Sequence, residues 1–143
     1  MERRRPRNLP ARPLVLVVDG HVDTLALYSI ALSAMGFDVI AASDAADAFS
    51  RAWQVHPDII VTELALRRTD GWALLASLKD DPRTRAIPVV VLTGNSQPTT
   101  RERARREGCA AFFIKPCLPA RLADELRSVL VANVSPVHAS APD

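Results

Sequence analysis

Five short apolar runs alternate with five amphipathic stretches along the 143-residue chain, and this alternation limits the fold more than any other feature. The runs are nearly continuous in Val, Ile, Leu and Ala, which is typical of strands buried on both faces of a parallel sheet. Right-handed crossovers between such strands place helices on both sides of the sheet. The pattern therefore predicts an α/β domain with a doubly wound, five-stranded parallel sheet and five helices. The predicted strands span residues 13–19, 37–42, 57–63, 87–94 and 110–116, and the predicted helices span 23–36, 43–55, 70–81, 98–108 and 118–132.

Capping residues predict where these helices begin and end, and apolar residues predict which side of each helix packs on the sheet. Asp23 is placed to cap the first helix and Gly36 to end it, and Ser43 or Asp44 is placed to cap the second. Apolar residues at helical spacing predict the faces that turn toward the sheet. These residues are Leu25, Tyr28, Leu32 and Met35 in the first helix, Trp72, Leu75 and Leu78 in the third, and Leu118, Leu122, Leu126, Val129 and Leu130 in the last.

Charge is unevenly distributed along the chain. The formal net charge is +2, but residues 1–12 carry five arginines against a single glutamate. This segment contains prolines and has no apolar period, so we predict a disordered basic tail over 1–12. One folded domain is expected over 13–132 and a flexible C-terminal tail over 133–143. A solvated leader is the expected role of the basic tail, and a weak anchor for nucleic acid or an acidic partner is the alternative.

Targeting and redox signals are scarce. The apolar run Leu14–Val18 is too short for the core of a signal peptide, and no segment approaches the ~18–20 apolar residues of a membrane span. Cys109 and Cys117 match neither a CxxC motif nor the spacing of metal ligands. We therefore expect a cytoplasmic protein that does not enter a membrane.

Four of the five predicted strands end in residues that suit a functional site. Asp19 and Gly20 follow the first strand, Glu63 ends the third, Thr93 ends the fourth and Lys115 ends the fifth. The carboxyl ends of parallel strands share one edge of the sheet, where doubly wound folds place their sites. We therefore expect two carboxylates, a hydroxyl and an ammonium to converge there.

Four motifs occur in order on the predicted strands: LVLVVDGHVDT, PDIIVTELALRRTDG, IPVVVLTGNS and GCAAFFIKP. They resemble the motifs of the receiver domain of bacterial two-component response regulators, over about residues 13–132. The resemblance implies a flavodoxin-like sheet in the strand order 2-1-3-4-5. It also implies that an Asp at the end of the third strand takes a phosphoryl group beside Mg²⁺, which an acidic pair helps to hold. Thr93 and Lys115 would then bind phosphoryl oxygens, and Phe112 would be the switch aromatic.

Two positions depart from the family pattern. Glu63 stands at the phosphoacceptor position and is longer than Asp by one methylene, and in-line transfer tolerates little misplacement. Gly20 replaces the second acid of the metal-binding pair, and His21 after it is a poor ligand for Mg²⁺. We therefore predict a degenerate site with no catalytic residue and no cofactor, Mg²⁺ included. Asp19 and Glu63 would be the ligands only if a weak Mg²⁺ site survived.

The degenerate pocket of Asp19, Gly20, Glu63, Thr93 and Lys115 leaves two interpretations open. In the first, Glu63 pairs with Lys115 near Thr93 and imitates part of the phosphorylated arrangement. In the second, the pair is a static contact in a retired site. The predicted function is an atypical, stand-alone receiver that acts through protein–protein interaction and is not an enzyme, since little chain follows residue 132. A phosphoaccepting receiver of a phosphorelay that tolerates both substitutions is the alternative.

The fourth predicted helix is the candidate output surface. Arg101 and Arg105, with Phe112, form the candidate partner face, and Arg67 and Arg68 are expected to add positive charge beside Glu63. The expected partner is a signalling protein, either a histidine kinase, another regulator or an effector, and a homodimer is also considered. A simpler interpretation of the charges on the fourth helix is that the helix is solvated and that its charged side chains form ion pairs with one another. The expected pairs are Glu102–Arg106 and Arg103–Glu107.

Three other functional classes fit the residues less well. The stretch DGHVDT resembles the haloacid-dehalogenase pattern D-x-D-G-T, but the nucleophile position would hold Val17. A flavin-mononucleotide binder needs a phosphate loop after the first strand, and the acidic loop here would repel phosphate. Binding of nucleic acid is expected only weakly, through the arginine-rich tail.

Overall fold

The computed structural model describes residues 9–66 and 70–134, with only the backbone of Val134. Within these ranges five strands alternate with five helices, which confirms the predicted number and order of elements. The strands are β1 (Leu14–Val18), β2 (Asp38–Ala42), β3 (Ile59–Thr62), β4 (Val89–Thr93) and β5 (Ala111–Ile114). The helices are α1 (Val22–Ala34), α2 (Ala45–Val55), α3 (Gly71–Asp80), α4 (Pro98–Arg106) and α5 (Pro119–Val134).

The strands form one parallel sheet in the order β2-β1-β3-β4-β5, as the resemblance implies. β1 and β3 lie side by side, with Val15 opposite Ile59 and Val18 opposite Thr62. Every residue of β3 is buried, which accounts for the apolar run of Ile59, Ile60 and Val61. Because the chain winds outward in both directions from β1 and β3, their carboxyl ends flank the crevice where such folds place a site.

Two hydrophobic layers cover the sheet because successive strand residues point to opposite faces. Val15 and Val17 of β1 pack in a cluster with residues of α1 and α5. Leu16 and Val18 pack in a second cluster with residues of α2 and α3. The predicted doubly wound architecture is therefore confirmed, with α1 and α5 on one face and α2 and α3 on the other.

Two expectations about the helix starts have different outcomes. Asp44 caps α2, since its carboxylate accepts a hydrogen bond of 2.8 Å from the Asp47 N–H. The expected cap of α1 at Asp23 is wrong, because His21 occupies the N-cap position and Asp23 lies within the first turn. The His21 N–H instead donates to Asp19 Oδ1 at 2.9 Å, and this contact turns the chain into the helix earlier than expected.

The inward face of α5 is predicted correctly except at its first residue. Leu122 and Leu126 are fully buried and Leu130 is nearly so. Leu118 is 74% exposed, so its predicted place in the core is wrong. The reason is that α5 begins at Pro119 and leaves Leu118 in the preceding loop.

The described chain extends past both predicted domain boundaries. Arg12, assigned to the disordered tail, lies with Nε 3.0 Å from Asp38 Oδ1, and its Nη2 donates to the carbonyls of Ser33 and Phe37 at 2.9 and 2.7 Å. That part of the tail prediction is wrong, because these contacts hold Arg12 against the domain. At the other end, α5 continues to Val134 rather than 132. The rest of both predicted tails, 1–8 and 135–143, lies outside the described residues.

Membrane insertion finds no support in the helices. Across 9–66 and 70–134, none of them combines the length and apolar character that crossing a bilayer would require.

Candidate functional site

Asp19 and Gly20 follow β1 at the carboxyl edge of the sheet. Asp19 is buried, with 3% of its surface exposed. Its Oδ2 lies 2.8 Å from Lys115 Nζ, and its Oδ1 accepts the His21 N–H. Gly20 adds no side-chain donor or acceptor. The first strand therefore delivers one carboxylate to the site, and both of its oxygens already have hydrogen-bond donors.

Glu63 is the second carboxylate, placed directly after β3 by a backbone hydrogen bond of 3.0 Å from its N–H to the Val18 carbonyl. The residue is 6% exposed. Oε1 lies 2.9 Å from Lys115 Nζ. Oε2 accepts the backbone N–H groups of Leu64 at 2.6 Å and Ala65 at 3.1 Å. Glu63 thus joins the fifth strand to the loop that leads into α3.

Lys115 follows β5 and lies between the two carboxylates. Burial lowers the pKa of Lys115, but hydrogen bonds to Asp19 and Glu63 and their negative charges outweigh this effect, so the pKa lies above its ordinary 10.5. The side chain remains partly accessible, with 23% of its surface exposed. Lys115 is therefore a charged counter-ion shared by Asp19 and Glu63.

Thr93 ends β4 and is almost fully buried. Its backbone carbonyl accepts the Lys115 N–H at 2.8 Å, which fixes β5 beside it. Its hydroxyl oxygen accepts the Asn95 N–H at 3.3 Å. Among the described residues no hydrogen bond joins this hydroxyl to Glu63 or Lys115, so Thr93 borders the ion pair without belonging to it.

Gly71, at the start of α3, shapes the site although sequence reasoning assigned it no role. Its N–H donates to the Leu64 carbonyl at 2.7 Å. A Cβ atom at this position would lie 2.5 Å from the Glu63 carbonyl oxygen and 2.6 Å from Leu64 Cα. Only glycine leaves room for this approach, and the Asp70-Gly71 pair at the end of the second motif was the signal available in the sequence.

The residues present do not fit the Mg²⁺ ion that the resemblance implies. Mg²⁺ needs oxygen ligands in near-octahedral geometry. Both oxygens of Asp19 and of Glu63 already face N–H or ammonium donors, and Gly20 supplies no third carboxylate. Within the described ranges, no three His, Cys, Asp or Glu side chains come together as a group that could hold a metal ion. The positive charge at the centre of this site is the ammonium of Lys115.

Phe112 lies in a small cluster that connects the site to α4. The residue is 7% exposed and packs with the buried residues Leu64, Val91 and Ala104. The Arg101 guanidinium lies above its ring, 4.9 Å from the centroid. Phe112 is therefore beneath the candidate partner face rather than part of it, because β5 turns this side chain inward. Leu64 belongs to the acceptor loop, the residues 64–66 that follow Glu63, and places this loop in direct contact with the cluster.

The charged residues of α4 are exposed and largely paired within the helix. Arg103 Nε lies 2.7 Å from Glu107 Oε2, and Glu102 Oε2 lies 2.6 Å from Arg105 and 3.9 Å from Arg106. Both predicted i,i+4 pairs are present, and the shorter contact of Glu102 is with Arg105. Two further predicted residues, Arg67 and Arg68, lie outside the described residues.

Solved structures share this fold. The chemotaxis response regulator CheY4 of Vibrio cholerae matches with a TM-score of 0.77 and 22% identity, over 82% of this chain and 98% of CheY4. The receiver domain of a signal transduction histidine kinase from Syntrophus aciditrophicus matches with a TM-score of 0.76 and 27% identity, over 86% of this chain and 92% of that domain. Both are similar to this chain along nearly their whole length.

Curated relatives and a family model agree with the fold. The polar-differentiation response regulator DivK of Brucella ovis is 29% identical over 116 residues, which cover 81% of this chain and 94% of DivK. The family model of the response regulator receiver domain matches residues 15–127, from β1 into α5. Because this match covers most of the chain and all four strand-end motifs, the chain belongs to the response regulator receiver domains of two-component signalling.

Proposed function

We propose that this chain is an atypical receiver that signals through protein–protein contacts, without accepting a phosphoryl group and without a catalytic step of its own. The observation that carries the proposal is the environment of Glu63 at the acceptor position. One of its oxygens pairs with Lys115 and the other accepts two backbone N–H groups. An attack on phosphorus would break one of these contacts, and the extra methylene of Glu shifts the oxygens from where an Asp would present them.

Charge neutralisation supports the same proposal. Transfer of a phosphoryl group depends on cations that neutralise the charge developing on its oxygens. Among the described residues, the cation at this site is the single ammonium of Lys115, which Asp19 and Glu63 already share. Gly20 offers no ligand for a further cation. Within the described part of the site, a phosphoryl donor would therefore meet two buried carboxylates that share the ammonium of Lys115.

Glu63 is then best understood as a built-in anion. Its carboxylate contacts the lysine that the family uses to bind a phosphoryl group, although it supplies one charge and two oxygens where phosphate supplies about two charges and three. Leu64 links this anion to Phe112 and so to α4. We propose that the site is held in one state and that an acidic surface of a signalling protein reads Arg101 and Arg105. The proposed location is the cytoplasm, where histidine kinases and other regulators act.

Intact-mass spectrometry tests the absence of phosphorylation. The wild-type chain, incubated with acetyl phosphate and Mg²⁺, is expected to keep its mass. A double variant with Gly20→Asp and Glu63→Asp restores both family acids and serves as the positive control, which is expected to gain one phosphoryl group. A stable phosphoryl adduct on Glu63 or Asp19 of the wild type would refute the proposal and support the phosphorelay alternative.

A pull-down from cells that express the chain tests whether a partner reads Glu63. We expect Glu63→Gln to lose the partner that the wild type and Glu63→Asp retain. A partner that binds Glu63→Gln equally well would show that the pair with Lys115 is a static contact. The variant with Arg101→Glu and Arg105→Glu is expected to lose the same partner. Arg51→Glu, on α2, is the matched control for a reversed surface charge; α2 shares a face of the sheet with α4, but α3 lies between them, so this variant should bind normally.

A further inference from the structure

We infer that the outward face of α1 is a self-complementary surface through which two copies of this chain associate. This α1 face consists of Val22, Asp23, Ala26, Leu27, Ile30 and Ser33. Three of its side chains are large, apolar and mostly in solvent: Val22 is 74% exposed, Leu27 54% and Ile30 71%. The opposite side of the helix is also apolar, with Tyr28 and Leu32 buried in the core. A helix that is apolar all round is normally covered on both sides, and contiguous apolar patches mark interaction sites.

Opposite charges lie at the two ends of the α1 face. Asp23 is the one charged residue of the helix and lies in its first turn. At the other end Arg12 donates to the carbonyl of Ser33, with 48% of its side chain exposed, and Arg127 donates to the carbonyl of Met35. Arg12 also pairs with Asp38, so Arg12, Arg127 and Asp38 together carry one net positive charge at the described part of this end. Such a surface is complementary to an inverted copy of itself.

An antiparallel arrangement about a two-fold axis places these features together. The helix spans residues 22–34, and its middle residue is Tyr28. A two-fold axis level with Tyr28 places each residue of one copy opposite the residue of the other copy that is equally far from the middle. Ile30 of one copy then lies opposite Ala26 of the other, and large side chains meet small ones. Asp23 lies opposite Ser33, beside the arginine that is bound to the Ser33 carbonyl. The charged outward side of α4 offers no such match, because two copies would bring arginines against arginines.

The size of the α1 face sets the strength of the association. A 13-residue helix is about 20 Å long, and one pair of such helices buries less than the roughly 1,200 Å² of a stable, specific interface. The dimer is therefore weak, with a dissociation constant in the micromolar range or above. This inference does not depend on Glu63 or on the proposed function.

Sedimentation velocity of the full chain over a concentration series tests the dimer. The mass is expected to rise from monomer to dimer with concentration. Ile30→Lys, at the centre of the face, should raise the dissociation constant about thirtyfold or more. Val55→Lys is the matched control, because Val55 is an apolar residue 47% exposed on α2, on the other side of the sheet, and the dimer should remain unchanged.

A charge exchange tests the antiparallel arrangement. Asp23→Arg alone should weaken the dimer about tenfold, and the double variant Asp23→Arg with Arg12→Asp should recover most of the loss. A chain that stays monomeric at every concentration would overturn the inference. So would a dimer that Ile30→Lys leaves intact, or a monomeric chain in which Ile30→Lys abolishes the binding of a different protein.

Discussion

Glu63 and Lys115 approach to 2.9 Å between Oε1 and Nζ, at the edge of the sheet where the family carries out phosphoryl transfer. The other oxygen of Glu63 accepts the N–H groups of Leu64 and Ala65. The carboxylate of Glu63 therefore contacts both the lysine that follows β5 and the backbone of the loop that follows β3. Glu63 therefore stabilises the fold and also provides a fixed negative charge, and experiments can separate these two roles.

Replacing Glu63 with Gln is expected to lower the free energy of unfolding by about 1–2 kcal/mol. Whichever way the amide is placed, one of the two oxygens becomes an NH₂ group that faces either Lys115 or the backbone N–H donors. Relief of the repulsion between Asp19 and Glu63 offsets part of this cost, because Lys115 keeps Asp19 as a partner. Urea unfolding measures the loss.

Glu102→Gln is the control for this measurement, since Glu102 is likewise an ion-paired glutamate, with Arg105 and Arg106, but lies exposed on α4. An exposed pair is screened by water and contributes little, so this variant should unfold at the wild-type urea concentration. Equal effects of the two substitutions would mean that burial does not strengthen the contact of Glu63 with Lys115.

The effect of Glu63→Gln is expected to depend on pH through Lys115. Burial lowers the pKa of Lys115, but the bonds and charges of Asp19 and Glu63 raise it further, so the folded-state pKa lies above the unfolded 10.5. The ammonium therefore contributes its full stabilisation below pH 10.5 and loses it as the pH rises through the folded-state value. The difference between wild type and variant should be constant from neutral pH to about pH 9 and shrink above pH 10.5. A difference that stays constant into the alkaline range would contradict the assigned ion pair.

Helix capping provides a third prediction. Asp44→Ala removes the acceptor of the Asp47 N–H at the start of α2 and should cost about 1 kcal/mol in the free energy of unfolding. Asp23→Ala is the comparison, because Asp23 lies in the first turn of α1 and accepts no capping bond. Its loss should cost a few tenths of a kcal/mol through the helix dipole alone. Chemical denaturation at a low protein concentration keeps both measurements free of any self-association.

The sheet could be predicted from the sequence because burial on both faces makes strands such as Ile59–Thr62 almost entirely apolar. The positions of Asp19, Glu63 and Lys115 follow from the same reasoning, since each residue lies at the carboxyl end of a predicted strand. That Lys115 would contact both carboxylates does not follow from it. The sharing depends on the side-chain conformations of all three residues, and spacing along the chain carries no such information.

The wrong expectations share a local cause. The start of α1 depends on the contact between Asp19 and the His21 N–H, which competes with the capping preference of Asp23. Leu118 fits the apolar period of α5 but precedes Pro119, the first helical residue. The period alone therefore predicts, wrongly, that Leu118 belongs to the buried face of the helix. Helix ends are decided by single hydrogen bonds, whereas helix faces are decided by many side chains together.

Gly71→Ala is expected to be the most damaging of the small substitutions. Its new Cβ would lie 2.5 Å from the Glu63 carbonyl oxygen and 2.6 Å from Leu64 Cα, both of them backbone atoms that cannot rotate away. Relief requires α3 or the acceptor loop to move, and the free energy of unfolding should fall by about 2–3 kcal/mol. Gly94→Ala is the matched control, because a Cβ there meets nothing within 4 Å and the residue can adopt its conformation with a side chain. This variant should be neutral or slightly more stable than the wild type. If both variants unfold at the same urea concentration, the close packing of α3 on the acceptor loop does not hold Glu63 in place.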